Sequence, residues 1–173
     1  VLDEALKGKI EELRKSRFFP GSDITASALR MLKQLKDRDF SQGSAQVRSN
    51  AFGACGRWLS RSEEKEVAEE AIKQSKALAE CNDAVIAKAF LTEPKDWTEC
   101  LKALAPLDNP EKVTAALMAV KQGTDSEQAL QWFHDADFAP TDIDADGKVV
   151  LLSCQLDAQN WDAAYSLAIS LQE

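Results

Sequence analysis

The chain has 173 residues, of which 45% are hydrophobic and 29% charged, with seven glycines and five prolines. This composition is typical of a soluble globular protein with its own core, and it argues against a disordered or fibrous chain. No apolar run approaches the roughly 18 residues that span a bilayer, and no apolar segment follows a basic start as in a signal peptide. The chain opens at Val1 rather than at methionine, which is compatible with a processed form, an excised domain or part of a longer protein.

The net charge of −8 is unevenly distributed along the chain. Residues 1–61 hold 12 Lys and Arg against 7 Asp and Glu, whereas residues 62–173 hold 9 against 22, so the two parts carry net charges of +5 and −13. All seven arginines fall in the first part. We therefore predict a single domain over 1–173 with a basic subregion, 1–61, and an acidic, repeat-like subregion, 62–173. The basic part either contacts an anionic partner or packs beside the acidic part.

Apolar residues in the first 36 positions recur at helical spacing. Those from Leu2 to Leu13 predict a first helix that ends near Phe19, where proline and glycine interrupt the pattern. Ser22 or Asp23 can cap a second helix, whose lysines and arginine lie off its apolar side. The two segments predict an amphipathic helical pair.

Two further helices are expected before residue 80. The segment "AFGACGRWL" is rich in small residues, and Gly53 and Gly56 would allow a neighbouring helix to approach closely. Ser62 followed by "EEKE" is a capping signature with acids in the first turn. It predicts a helix through Val67 and Leu78.

From Asp83 onward the helical segments echo one another. The apolar segments "AVIAKAFL", "VTAALMAV" and "VVLLSCQL" each precede a polar turn and a second, amphipathic segment. The turn aligns one capping residue per unit and a small residue four places later, at intervals of 29 and 35 residues: Asp96 with Cys100, Asp125 with Ala129, and Asn160 with Ala164. Helical hairpins repeated at this length are the signature of an α-solenoid. We predict an all-α fold of nine or ten helices, stacked as antiparallel hairpins in a short solenoid or a compact bundle.

Two segments carry a resemblance to known helical repeats. "LLSCQLDAQNWDAAYSLAISL" is similar to a tetratricopeptide-type helix pair, with a polar-aromatic turn and an alanine where two helices cross closely. "SNAFGACGRWL" resembles the first helix of a pentatricopeptide repeat. The resemblance implies a concave groove that binds a peptide, a protein partner or, in the pentatricopeptide case, single-stranded RNA, and it implies no catalysis.

The acidic stretch "TDIDADGKVVLLS" has two interpretations. Counted from Asp142, it places Asp144 and Asp146 at the third and fifth positions of an EF-hand loop, but Ser153 stands where the closing glutamate belongs. The alternative is a polar turn whose acids gather at the N-terminus of a helix over Lys148 to Gln159. The capping turn is preferred, and a weak calcium site at the three aspartates is the alternative.

Catalytic and cofactor chemistry are not expected from this sequence. The four cysteines lack zinc spacing and stand among alanines and leucines, so we predict free, buried thiols and a reducing compartment inside the cell. His134 is the one histidine, and it has no serine or cysteine beside it in sequence. No phosphate loop or nucleophile elbow is present, so we expect neither an enzyme nor a cofactor.

The candidate partner-binding residues are basic or aromatic. Arginine suits bidentate contact with carboxylate or phosphate, and the tryptophans stand near helix ends, where they either pack between hairpins or act as anchors in a groove. The candidates are Arg14, Arg17, Arg30, Arg38, Trp97, Trp132 and Trp161. They support a non-catalytic protein-interaction module, an adaptor or a subunit of an assembly. The alternatives are an RNA-binding repeat protein, which the acidic net charge disfavours, and a weak calcium-binding module.

The helical periods also predict which side chains form the core. We expect eight residues to be buried because each lies on the apolar side of its segment. They are Ala71, Ile72, Leu78, Leu101, Leu117, Leu130, Leu152 and Leu167.

Overall fold

The fold is all-α, as predicted. A computed structural model describes residues 2–15, 22–37, 44–92 and 97–173, with side chains described from 4–12 and 25–37 in the first two ranges. These residues form ten α-helices and one 3-10 turn, and no strand occurs among them. The chain divides into two compact units, Val1–Leu91 and Thr92–Glu173. Over the same described ranges, no helix is long and apolar enough to cross a membrane.

The first unit is built around its third helix. Its helices are α1 (Leu2–Lys15), α2 (Ser22–Lys36), α3 (Ala45–Leu59), α4 (Lys65–Leu78) and α5 (Asn82–Thr92). Helix α3 packs against α1, α2 and α4. Because it has neighbours on several sides, it buries residues around most of its circumference rather than along one stripe.

The core of the first unit joins one side of α1 and α2 to α3. Leu6, Ile10 and Leu35 are buried together with Phe52 and Leu59 of the central helix. The glycines of α3 allow the close approach that the sequence predicted. A Cβ at Gly53 would collide with the Cys81 sulfur and lie 3.2 Å from the Ala84 nitrogen, so a larger residue would push α5 away.

The charge boundary at residue 61 does not coincide with the boundary between the units. It falls in the turn between α3 and α4, two helices that pack closely against each other. Their contact includes a buried polar pair, in which the Ser49 and Ser75 hydroxyl oxygens are 2.9 Å apart. The two hydroxyls also reach backbone carbonyls at Ser75, Ala79 and Ser49, so no polar atom of the pair lacks a partner.

The second unit has a central apolar helix of its own. Its helices are α6 (Trp97–Ala103), α7 (Glu111–Gly123), α8 (Ser126–Asp135), α9 (Ala145–Asp157) and α10 (Trp161–Gln172), with a 3-10 turn at Pro140–Asp142 before α9. All eight residues from 113 to 120 are buried. Helix α7 packs against α6, α8 and α9, and α9 in turn packs against α8 and α10.

Some helix starts agree with the sequence, and others differ. Asp125 caps α8 by accepting the Gln128 N–H at 2.8 Å, as expected. Ser62 does not cap α4, because its hydroxyl accepts the Glu64 N–H in the turn before the helix begins at Lys65. Helix α9 begins at Ala145, three residues before the predicted start. The predicted end of the first helix near Phe19 and the predicted cap at Asp96 lie outside the described residues.

The predicted core is correct for half of its members. Ala71, Ile72, Leu117 and Leu167 are buried, whereas Leu78, Leu101, Leu130 and Leu152 are only partly buried. On α9 the prediction for Leu152 is wrong by one position: Leu151 is 2% exposed and takes the core position. The small residues at the predicted helix crossings, Cys100, Ala129 and Ala164, are all buried.

Candidate functional site

The last helix exposes a row of large apolar side chains. Within the described residues, the large hydrophobic side chains exposed to solvent are Leu156 at the end of α9 and Trp161, Tyr165 and Ile169 of α10. Trp161 and Tyr165 are 63% and 70% exposed. Because the three residues of α10 follow one another at intervals of four, they lie on one side of the helix, and we call them the α10 stripe. Contiguous exposed apolar surface of this kind marks interaction sites in proteins.

The remaining sides of α10 have different characters. Ala164 and Leu167 are buried and hold the helix in its unit, where it packs mainly against α9. Asp162 is exposed and, at about 100° per residue, projects from the side opposite the buried pair, and Glu173, just after the last helical residue, is exposed as well. The α10 stripe therefore lies between the buried side and an acidic side.

The turn between α9 and α10 fixes where the stripe begins. Gln159 has a φ of 59°, in the left-handed region, and its N–H donates to the Leu156 carbonyl at 3.1 Å. The Asn160 N–H donates to the Gln155 carbonyl at 2.9 Å, which completes a Schellman motif. The Asn160 amide also donates to the Gln155 side-chain oxygen at 2.8 Å. These bonds end α9, and α10 begins at Trp161, directly after Asn160.

Polar contacts attach α9 to the helices beneath it. Lys121 of α7 donates to the Ser153 hydroxyl at 2.8 Å and lies 4.0 Å from the Asp157 carboxylate. Ser126, the first residue of α8, donates to the same carboxylate at 2.8 Å. Helix α9, against which α10 packs, is thus connected to both α7 and α8.

A shallow cleft of about 280 Å³ adjoins the start of α10. Its walls come from α8 and from the α9–α10 turn, and they carry one carboxylate, two amides and one imidazole: Glu127, Leu130, Gln131, His134, Ala158 and Asn160. These groups can accept hydrogen bonds from a cationic side chain. None of the lining residues has a hydroxyl or thiol that could act as a nucleophile.

The three candidate tryptophans lie in different environments. Trp97 is 6% exposed, and its ring is 6.2 Å from that of Phe133 and 5.7 Å from that of Phe138, in the tilted and edge-on arrangements that aromatic rings prefer. It is a core residue of the second unit. Trp132 is half-buried and Trp161 is exposed. Sequence reasoning missed Tyr165 and Ile169, although their four-residue spacing from Trp161 was a visible signal.

The structure describes one of the four candidate arginine side chains. Arg30 is exposed on α2, and its guanidinium lies 3.1 Å from the Ser27 hydroxyl. The side chain of Arg14 and the residues Arg17 and Arg38 lie outside the described part of the chain. Arg30 is therefore the one candidate arginine whose exposure the structure describes.

Two other arginines of the basic segment point into the first unit. Arg57 is 3.0 Å from the Asp83 carboxylate, and the side chains of the pair are only 13% and 4% exposed. Arg61 lies over the Phe90 ring at 5.9 Å. Burial, and then the nearby charge of Arg57, lower the pKa of the Arg61 guanidinium from its ordinary value. At these two positions the arginine side chain is engaged inside the first unit.

The acidic stretch before α9 is a capping turn, as preferred from the sequence. Asp144 accepts the Gly147 N–H at 2.8 Å and the Thr114 hydroxyl at 3.0 Å, so it caps α9 and ties it to α7. Asp142 accepts the Ala139 N–H at 2.7 Å. Within the described ranges, no group of three or more acidic, histidine or cysteine residues could hold a metal ion.

The four cysteines are free and buried, which confirms their predicted packing role. Desolvation by burial raises the pKa of the Cys55, Cys81 and Cys154 thiols above the ordinary value. The reactive thiolate is therefore disfavoured at these three positions.

No family model, no curated protein and no solved structure matches this chain. The resemblance to tetratricopeptide and pentatricopeptide repeats stays a hypothesis drawn from the sequence.

Proposed function

We propose that the chain is a non-catalytic protein-interaction module, an adaptor or a subunit of a larger assembly, and that its second unit supplies the docking surface. The observation that carries the proposal is the α10 stripe, in which Trp161 and Tyr165 are more than 60% exposed. Aromatic side chains that are held on a rigid helix supply large contact area at low cost in conformational entropy.

Two further observations support a role in binding rather than in catalysis. The cleft beside the stripe offers hydrogen-bonding groups, and none of its lining residues carries a hydroxyl or a thiol. The raised thiol pKa values keep Cys55, Cys81 and Cys154 in their neutral form.

The four-residue spacing of the stripe also suits a helical partner, whose anchoring residues recur at similar intervals.

The two alternatives have less support. Binding of single-stranded RNA requires exposed cations and exposed aromatic rings on one groove, whereas Arg57 and Arg61 are engaged inside the first unit. For the calcium alternative, the Asp144 carboxylate already serves as a helix cap.

Site-specific photocrosslinking tests the proposal. A photoreactive phenylalanine analogue is placed at Tyr165 and, as a matched control, at Lys88, an exposed position on α5 of the first unit. After irradiation in extract of the source cells, we expect a discrete crosslinked species of higher mass from position 165 and none from position 88. Equal labelling at the two positions, or no adduct at 165, would contradict the proposal.

Stability measurements on a double variant provide a second criterion. Because the stripe is exposed, Trp161→Ser with Tyr165→Ser should change the free energy of unfolding by no more than about 0.5 kcal/mol. Urea unfolding of the variant and of the unaltered chain measures this difference. A loss of several kcal/mol would mean that the stripe is part of the core of its unit rather than a docking surface.

A further inference from the structure

We infer that the partner docked by the α10 stripe is an amphipathic α-helix whose apolar side is flanked by lysine and arginine. This inference rests on the proposed function and adds to it the chemical class of the partner. It follows from the shape of the stripe, from the charge around it and from the way the chain's own basic helix is packed.

The shape of the stripe suits a helix laid along α10. Trp161 and Ile169 are eight residues apart, which corresponds to about 12 Å along the axis, or a little over two turns. The stripe starts at Trp161 on the flank of the helix next to Ala164 and turns toward the solvent side at Ile169. A partner helix that packs there extends the side-by-side packing that α9 and α10 already show.

The charge around the stripe defines the polar side of that partner. Residues 122–173 contain ten Asp and Glu against a single lysine, Lys148, and residues 149–173 contain no lysine or arginine. Asp162 on α10 and Glu173 directly after it are exposed, and Glu127 lines the adjoining cleft. A partner with a basic rim has the complementary potential, whereas an acidic rim would place like charges side by side.

The same charges argue against a second copy of the chain as the occupant. A two-fold contact through α10 would bring Asp162 and Glu173 near their own counterparts, with no basic residue in 149–173 to offset them. The basic helix of the chain cannot serve instead, because Met31, Leu32 and Leu35 of α2 are already buried in the first unit. Both contrasts favour a helix from another protein as the occupant.

Binding of two designed helical peptides to the full chain tests the inference. Both peptides have the same apolar side, and one carries lysine and arginine along its edges where the other carries glutamate. We expect the basic peptide to bind at least tenfold more tightly at low salt, as measured by fluorescence anisotropy, and its affinity to fall as salt is added. Asp162→Asn should weaken it a few-fold.

The double variant Trp161→Ser with Tyr165→Ser separates docking from unspecific attraction, because it leaves the net charge unchanged. It should bind the basic peptide at least tenfold more weakly. Equal binding by the double variant and the unaltered chain would mean that charge alone attracts the peptide, and that result would overturn the inference.

Two other outcomes distinguish this inference from the proposed function. If the acidic peptide binds as tightly as the basic one, or if neither binds, the partner class is wrong, while a discrete crosslink at Tyr165 would still support a docking surface. If sedimentation velocity shows a dimer of the unaltered chain that Trp161→Ser with Tyr165→Ser abolishes, the occupant is a second copy and the partner assigned here is wrong.

Discussion

The two units of the molecule differ in net charge and in the exposure of their large hydrophobic side chains. The first unit, residues 1–91, holds 16 Lys and Arg against 14 Asp and Glu, and it buries an arginine–aspartate pair between α3 and α5. The second unit, residues 92–173, holds 5 against 15, a net charge of −10, and it leaves the α10 stripe exposed. In the described residues of the first unit, no large hydrophobic side chain is comparably exposed.

This difference shows that an excess of one charge along a sequence does not by itself locate an interface. The arginines drew attention to the first 61 residues, yet Arg57 neutralises Asp83 inside the first unit. The exposed aromatic residues lie in the acidic unit instead. Exposure of large apolar side chains, together with the charge around them, is the more specific guide to a docking surface.

The largest expected effect comes from breaking the buried ion pair of the first unit. Asp83→Ala leaves the largely buried Arg57 without its carboxylate and should cost about 3–5 kcal/mol in the free energy of unfolding. Urea unfolding measures the loss. The exposed pair of Glu4 and Lys7 is the matched control, and Glu4→Ala should cost less than about 0.5 kcal/mol.

A double-mutant cycle shows whether the loss of stability in Asp83→Ala comes from its interaction with Arg57. Adding Arg57→Met to Asp83→Ala removes the uncompensated charge and should restore part of the lost stability. If Asp83→Ala costs no more than Glu4→Ala, the first unit does not depend on its buried pair, and the contrast between the units is smaller than the structure indicates.

Adjacent leucines of α9 test which side of that helix forms the core of the second unit. Leu151→Ala should cost about 2–5 kcal/mol because it leaves a cavity, whereas Leu152→Ala should cost less than about 1.5 kcal/mol because that side chain is already partly exposed. Chemical denaturation of the two variants gives the comparison. If Leu152→Ala instead costs more than Leu151→Ala, the buried side of α9 is the one predicted from the sequence.

The sequence predicted the helices better than it predicted their contacts. The 3.6-residue period of the apolar residues and the capping residue Asp125 are local signals, so the all-α class and most helix positions followed from them. Helix α9 was harder to orient because 149–152 are all apolar, and a continuous apolar run fits more than one buried side. Only packing against α7, α8 and α10 places Leu151 inside.

The candidate site was only partly predictable for a related reason. Trp161 is one of three candidate tryptophans from the sequence, but nothing in the sequence distinguished it from Trp97, which is buried beside Phe133 and Phe138. Those three rings are separated by up to 41 positions in the chain and meet through tertiary packing. Exposure is a property of the folded unit, and it is what separates Trp161 from the others.

The smallest effect concerns the acidic turn that starts α9. Asp144→Ala removes the helix cap and leaves the Thr114 hydroxyl without its acceptor, so the free energy of unfolding should fall by about 1–2 kcal/mol. Asp144→Asn is the matched control, since an amide oxygen caps nearly as well as a carboxylate, and it should cost less than about 0.5 kcal/mol. Thermal unfolding with and without millimolar calcium completes the test, because Asp144→Ala also removes a side-chain oxygen that a calcium ion would need as a ligand. Calcium should leave the melting temperature of all three proteins unchanged. A calcium-dependent rise in the unaltered chain that is lost in Asp144→Ala would favour the cation site over the cap.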